Sequence, residues 1–221
     1  MATPPKPVLV LADANVLVKD VVSASLFDLN KAGLIDLRWT PEIEAEYIRH
    51  RARLRAEHYG MSTRLEDLDW AAKRIERNKQ YLVPRANPSG WALESTLNSL
   101  MENPKYAALK EIPDPGDVHV AMAAAFMAEQ SKTTVVLATH DLGDLPESTL
   151  APFDVVVLHP GLILDMLYQA HRTEVSASLL ATCSSFSNPD ITPKEFLRSI
   201  SAKNQFDNPE LAASLEIDWK F

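Results

Sequence analysis

Cysteine, glycine and long apolar runs are scarce in this sequence, and each scarcity excludes a class of protein. Cys183 is the only cysteine among 221 residues, which excludes an internal disulfide and a thiolate metal cluster and favours the reducing cytoplasm. With 6 glycines in all, the chain has no glycine-rich loop of the kind that cradles nucleotide phosphates. No apolar stretch reaches the roughly 18 residues that cross a bilayer, and the run near the N-terminus ends at Asp13. We therefore expect a cytoplasmic protein without a signal peptide or a membrane anchor.

The charge of the chain is acidic overall but unevenly distributed. The net charge is −8, yet the window from Arg49 to Arg85 holds 10 Lys or Arg against 5 Asp or Glu, which leaves −13 for the rest. Such a window is either a solvated helical face or a basic arm that binds a polyanion such as nucleic acid. Charge alone does not distinguish these two interpretations.

Four short apolar runs alternate with helical patterns. The runs are "PVLVLA", "LIDLRW", "TTVVLAT" and "FDVVVLH", and they are typical of buried strands in a parallel sheet. Helices are predicted over "SASLFDLNKAG", from Pro41 to Gly60, over residues 64–81 and from Pro115 to Gln130, whereas residues 83–113 suggest short helices joined by loops. This alternation predicts a doubly wound α/β fold with helices flanking a small parallel sheet.

The strand signal ends near Pro160. The stretch "GLILDMLYQAHRTEVSASLLAT" predicts one long helix, "TPKEFLRSI" contains a capping box, and "NPELAASL" begins another short helix. A composition that is 46% apolar supports one sizeable core and a small appendage. We therefore predict an α/β domain over residues 1–160 and a helical C-terminal extension over residues 161–221.

Carboxylates from several segments are predicted to meet at one edge of the sheet. Asp13 ends the first strand, and Asp141 and Asp144 follow the third. Ligands of open α/β sheets bind at this carboxyl edge. Asp114 and Asp117 open the helix that leads into the third strand.

The helix from Pro41 contributes one more carboxylate. Ile43, Tyr47, His50 and Leu54 form a stripe at helical spacing. Glu46 lies about 60° from the Ile43 direction, at the edge of this stripe. We therefore predict that Glu46 faces inward.

Each of these acids also has a structural explanation. Asp114 before Pro115 is an ordinary helix N-cap, and an acid at Asp117 suits the helix dipole. Asp13 can bond to nearby amides at the end of a strand, and Asp141 and Asp144 are common turn residues. Similarly, histidines such as those at positions 50, 119 and 140 are more often satisfied or solvated than metal ligands.

The acids make a stronger case together than singly. Carboxylates gathered from four segments repel one another, and a divalent cation relieves that repulsion. Oxygen ligands without cysteine favour Mg²⁺ or Mn²⁺. Such ions assist the attack of water on a phosphodiester.

The motifs around these acids resemble those of the PIN-domain ribonucleases, specifically the toxin half of VapBC-type toxin–antitoxin pairs. The matching segments are "DANVLV", "RWTPEIEAEYIR", "IPDPGDVHVAMAAA", "THDLGDLP" and, beyond the domain, "ITPKEFL". They occur in the family's order, and the resemblance covers roughly residues 8–160. Gly116 and Val118 depart from the acid and the arginine that are common in the subfamily.

The resemblance implies a PIN-like three-layer fold and an Mg²⁺- or Mn²⁺-dependent endoribonuclease. The implied principal metal ligands are Asp13, Glu46 and Asp117. Asp114 would support these ligands, and either Asp141 or Asp144 would be the fourth acid. Asn15 and Thr139 would orient ligands or phosphate.

The same resemblance implies partners as well as a reaction. These are an RNA substrate, a cognate antitoxin and a second copy of the chain. The arginines proposed to contact RNA or an acidic antitoxin segment are Arg49, Arg51, Arg53 and Arg55.

Two other functions fit parts of the pattern. A haloacid-dehalogenase-like phosphatase also needs an Asp after the first strand, but its second Asp is replaced here by Asn15. A non-catalytic interaction module would use the acids for a structural ion or for none.

Overall fold

The chain folds as an α/β protein in which a four-stranded parallel sheet is flanked by helices. The computed structural model describes residues 6–82, 102–187 and 190–220. The parallel sheet flanked by helices confirms the predicted α/β fold class. Part of the predicted loop-rich stretch, residues 83–101, lies outside the described residues.

The sheet consists of the four predicted strands. They are β1 (Val8–Ala12), β2 (Ile35–Arg38), β3 (Val135–Ala138) and β4 (Val155–Leu158), in the spatial order β2-β1-β3-β4. Val10 is aligned with Leu37 on one side and with Val136 on the other, and every pairing is parallel. All four carboxyl ends therefore lie at the same edge.

The described helices are α1 (Ala14–Leu17), α2 (Asp20–Lys31), α3 (Pro41–His58), α4 (Leu65–Leu82), α5 (Val118–Ser131), α6 (Glu147–Leu150), α7 (Pro160–Ala170), α8 (Arg172–Ser185), α9 (Pro193–Ser201) and α10 (Pro209–Trp219). Three 3₁₀ segments accompany them, at Pro104–Glu111, Pro115–Asp117 and Ala151–Phe153. Among these helices, α2 packs against β2 and α5 packs against β3.

Local sequence signals explain most helix ends. The Thr40 hydroxyl accepts from the backbone N–H of Ile43 and Pro41 occupies the first turn of α3. Gly33 and Gly60 follow α2 and α3 with φ of 78° and 65°, a conformation that strains residues with a Cβ. The predicted capping box at Thr192 and Glu195 is present at the start of α9.

The single long helix predicted after Pro160 is wrong, because the structure contains two helices. They meet at His171, whose φ of −140° and ψ of 50° are not helical. The break allows α8 to turn and pack along α2, where the Thr182 hydroxyl donates to Asp28 Oδ2 at 2.8 Å. Tertiary packing therefore overrides a continuous helical pattern.

The apolar stripe predicted along α3 holds only in its first half. Ile43 and Tyr47 are buried, whereas His50 is exposed and Leu54 is 44% exposed. In the second half of α3, Ala52 and Ala56 are buried instead of His50 and Leu54, because α4 packs against this part of the helix.

The C-terminal helices share one hydrophobic core with the sheet. Val175, Leu179, Phe196 and Phe206 are fully buried within the cluster that also holds the strands. The domain boundary at residue 160 stays a prediction. Of residues 6–82, 102–187 and 190–220, no helix combines the length and the apolar character needed to span a membrane.

Candidate metal centre

Asp13 lies where β1 ends, at the carboxyl edge of the sheet. Its backbone N–H donates to Ala138 O at 3.0 Å, so β3 fixes its position. Its side chain is only 4% exposed. Burial raises the pKa of the Asp13 carboxyl, although the hydrogen bond from Thr139 opposes this.

Thr139 is the centre of a small hydrogen-bond network that holds Asp13. Its Oγ1 donates to Asp13 Oδ2 at 2.9 Å and accepts from Asn15 Nδ2 and from the backbone N–H of Asp141, both at 3.0 Å. Asn15 Oδ1 accepts in turn from the backbone N–H of His140 at 3.1 Å. The threonine hydroxyl thus uses its one donor and both acceptor positions, and β1 and β3 are locked together at their carboxyl ends.

Three further acids form a compact group beside this network. One carboxylate oxygen each from Asp114, Asp117 and Asp144 lies within 4.8 Å of the others. Oxygens that share one divalent ion at roughly 2.0–2.6 Å each have separations of this order. Asp114 also caps its turn as predicted, because its Oδ1 accepts from the Gly116 N–H at 2.7 Å. Capping therefore occupies one oxygen of Asp114 and leaves the other available.

Asp117 is the residue at which the acids converge. Its pKa is raised to about 7, first by burial and then by the charges of four other acids. In order of effect these are Asp13, Asp114, Asp144 and Asp141. The side chains from three separate segments therefore share one electrostatic environment.

The two acids after β3 occupy different positions. Asp144 is partly buried and belongs to the compact group, whereas Asp141 is exposed. A side-chain hydrogen bond with Asp141, together with the charge of Asp141, raises the pKa of Asp144. This geometry favours Asp144 over Asp141 as the fourth acid.

Glu46 approaches the site from α3. The side chain is partly buried. Burial raises its pKa, the charge of His119 opposes this, and Asp13 raises the pKa further. Glu46 and Asp13 are therefore close enough to repel each other.

His119 lies beside Glu46, although no sequence pattern assigned this histidine to the site. Its Nδ1 lies 2.7 Å from Gly116 O, and its Nε2 lies 3.7 Å from Glu46 Oε2. Nε2 is buried and has no hydrogen-bond partner among the described residues. Its spacing of two residues from Asp117 gave no signal, because residues two apart on a helix do not share a face.

The predicted arginine face is largely neutralised within the protein. Arg51 pairs with Asp20 at 2.6 Å, and Arg55 lies 3.4 Å from the buried Asp67. Arg53 is 3.6 Å from Glu57 on the same helix. Arg49 is exposed, and its positive charge opposes the rise in the pKa of Glu46.

The donor set fits a divalent cation. The compact group offers carboxylate oxygens only, and Asp13, whose charge acts on Asp117, is almost completely buried. Mutual repulsion of the carboxylates is the property that a bound cation would remove. Fold and site together define an α/β protein with an acidic cluster at the carboxyl edge of its sheet.

Comparisons with known proteins give no relative for this chain. No protein-family model matches it, and neither does any curated protein or solved structure. The resemblance of its short motifs to the PIN-domain ribonucleases therefore stays a prediction.

Proposed function

We propose that this chain is an Mg²⁺- or Mn²⁺-dependent endoribonuclease of the PIN type, acting as the toxin of a toxin–antitoxin pair. The observation that carries the proposal is the convergence of acids on Asp117, whose pKa is raised to about 7 by burial and by its carboxylate neighbours. A fold that gathers unpaired carboxylates in this way is stabilised by a divalent cation.

In this proposal Asp13, Glu46 and Asp117 hold the ion together with Asp114 and Asp144. When bound, such an ion activates water and stabilises the charge that develops on a phosphodiester. Thr139 keeps the Asp13 carboxylate oriented through its 2.9 Å hydrogen bond, and Asn15 keeps Thr139 in place. Asp141, which is exposed beside Asp144, is positioned to orient water or substrate at the rim.

The proposed partners follow from the proposed ribonuclease function. RNA phosphates or an acidic antitoxin segment would contact the exposed Arg49 and Arg53, whereas Arg51 and Arg55 serve internal ion pairs. A cytoplasmic location and a homodimer belong to the proposal as well.

The decisive experiment compares two substitutions of the same kind. Asp117→Asn removes one charge from the cluster, and Asp154→Asn removes one charge from an exposed residue that precedes β4 at the opposite edge of the sheet. Asp154 has a φ of 59°, which asparagine tolerates well. We expect Mn²⁺ to raise the melting temperature and to support cleavage of single-stranded RNA for the parent protein and for Asp154→Asn. Both effects should be lost in Asp117→Asn.

Different results identify the rival functions. Hydrolysis of a generic phosphomonoester without cleavage of RNA indicates a phosphatase. Stabilisation by Mn²⁺ without either activity indicates an interaction module. RNA cleavage that survives both EDTA and Asp117→Asn overturns the metal-dependent proposal.

A further inference from the structure

We propose that His159 is a positioning residue for the candidate metal centre, because it holds the ring of His140 and thereby the backbone of residues 139–141. The metal ion belongs to the proposed function, on which the inference rests, whereas the position of the backbone can be measured without an ion. The two histidines follow β3 and β4, whose last residues, Ala138 and Leu158, are aligned in the sheet. Both rings therefore lie at the carboxyl edge, where the acids also lie.

The two hydrogen bonds of the His159 ring determine where its proton lies. The backbone N–H of Gly161 donates to His159 Nδ1 at 3.2 Å, so this nitrogen carries a lone pair. Burial lowers the pKa of His159, although the charge of Asp207 opposes this, and the ring is neutral at pH 7. The proton of this neutral ring is therefore on Nε2, which donates to His140 Nδ1 at 2.9 Å.

His140 depends on this bond for the orientation of its ring. Because Nδ1 accepts, the proton of His140 is on Nε2, which is buried and has no hydrogen-bond partner among residues 6–82, 102–187 and 190–220. The two rings are also in edge contact, with centroids 4.7 Å apart and planes at 75°. Loss of the bond to His159 would leave both nitrogens of a partly buried ring unsatisfied, which favours movement of His140 toward water.

The backbone of His140 belongs to the hydrogen-bond network that holds Asp13. The His140 N–H donates to Asn15 Oδ1 at 3.1 Å. The next N–H, that of Asp141, donates to Thr139 Oγ1 at 3.0 Å, and this hydroxyl donates to Asp13 Oδ2 at 2.9 Å. Movement of the His140 backbone therefore weakens the bonds that orient the carboxylate of Asp13, and groups that orient a metal ligand affect how tightly the ion is bound.

His159 is itself fixed by the C-terminal part of the chain. It caps α7 by accepting from the Gly161 N–H, and Gly161 O accepts from Asn208 Nδ2 at 3.1 Å. Asn208 Oδ1 accepts in turn from the N–H of Leu211 at the start of α10, at 2.9 Å. The helices after residue 160 therefore support, through His159, the loop beside the acids.

Two substitutions of His159 separate this role from a purely structural one. His159→Asn keeps an acceptor near the position of Nδ1 that can cap α7, but its amide is too short to reach His140. His159→Gln keeps an N–H donor near the position of Nε2 and loses the cap. Each variant lacks one hydrogen bond, so both should melt roughly 2–4 °C lower than the parent. In calorimetry, only His159→Asn should bind Mn²⁺ about tenfold more weakly.

Hydrogen exchange in EDTA measures the positioning without the ion. The amides of His140 and Asp141 should exchange roughly tenfold faster in His159→Asn than in the parent or in His159→Gln. Equal exchange in all three proteins overturns the inference, and so does an equal affinity for Mn²⁺ in three proteins that bind the ion. Faster exchange in His159→Asn, when the parent binds no Mn²⁺, supports the positioning of residues 139–141 and overturns the proposed metal function alone.

Nitrogen NMR of the parent protein is independent of how the variants fold. At pH 7 the imidazole spectrum should place the proton of His159 on Nε2 and show coupling across the hydrogen bond to His140 Nδ1. A His159 proton on Nδ1 overturns the inference.

Discussion

At the residue scale, the site is governed by the cost of ionising one carboxyl. Asp117 has a pKa of about 7 because burial and the nearby acids disfavour its charged form. Without a cation the folded protein therefore releases this proton less readily than the unfolded chain does. Stability from this residue is complete below the unfolded pKa near 3.8 and is lost as the pH rises through about 7.

We predict that Asp117→Asn stabilises the metal-free protein at pH 8 and leaves its stability unchanged at pH 4. Because Asp117 is only partly buried, solvent screens the repulsion, and the gain should be on the order of 1 kcal/mol, or roughly 2–4 °C in melting temperature. Thermal unfolding in EDTA at both pH values measures it.

The control for this prediction is Asp154→Asn, which should show no such pH-dependent gain. Adding Mn²⁺ at pH 8 should reverse the order, so that the parent becomes more stable than Asp117→Asn. An equal gain at pH 4 and pH 8 would show that the stabilisation does not come from charge.

At the scale of elements, the α3–α4 pair shows why a basic window is not a basic surface. Asp20 Oδ1 accepts from Arg51 Nη2 and from Arg74 Nη2, both at 2.6 Å, and so ties α2 to both helices. Arg51 also donates to Val18 O at 2.8 Å. Arg55 lies over the ring of Trp70, 4.9 Å from its centroid. These arginines stabilise the packing of helices and are not displayed to a partner.

We predict that two arginines of α3 contribute very differently to the free energy of unfolding. Arg51→Gln should lower the free energy of unfolding by about 1–2 kcal/mol, because it removes the charged hydrogen bonds that the Arg51 guanidinium donates to Asp20 and to Val18 O. Arg49→Gln should change stability by less than about 0.5 kcal/mol, since Arg49 is exposed. Urea unfolding of both variants measures the difference.

For RNA affinity the order should be reversed, with Arg49→Gln having the larger effect of the two variants. Arg49→Gln is expected to weaken the affinity for single-stranded RNA and to reduce its salt dependence. If Arg51→Gln weakens binding while its stability is intact, the internal role of Arg51 is wrong.

At the scale of the whole molecule, the C-terminal helices and the sheet share one core. Asn208 Nδ2 donates to Gly161 O at 3.1 Å, and a Cβ at Gly161 would lie 1.8 Å from Phe206 O. Lys19, which follows α1, donates to Asn204 O at 2.6 Å. The segment between α9 and α10 therefore contacts α7 and the residues that follow α1.

We predict that a fragment of residues 1–160 lacks cooperative unfolding. The fragment lacks α8, which packs against α2 and carries the buried Val175 and Leu179, so apolar surface of α2 would be exposed to water. Denaturant unfolding followed by circular dichroism provides the measurement. A fragment that unfolds in one sharp transition would support the domain boundary predicted at residue 160.

The sequence predicted much of the fold because its signals are local. All four strands were recognisable as apolar runs, and the start of α3 at Thr40 and Pro41 was recognisable from its capping chemistry. The break at His171 was not recognisable, since no glycine or proline marks it. It depends on which helix faces must be buried against α2.

The candidate site, like the fold, could be predicted only in part from the sequence. Parallel strands bring their carboxyl ends together, so the meeting of Asp13 with the residues after β3 follows from the alternating pattern alone. The choice of Asp144 over Asp141 and the orientation of His119 depend on the turns of the backbone around them. The spacing of these residues along the sequence does not determine the conformation of those turns.

By itself, the sequence determined which segments form strands and helices and which acids lie at the carboxyl edge, because periodicity and caps act between near neighbours. Only the tertiary structure decided that Arg51 and Arg55 turn inward, that α7 and α8 separate, and that His119 lies beside Glu46. Those outcomes depend on charges and surfaces that are distant along the chain and become neighbours only when the core is packed.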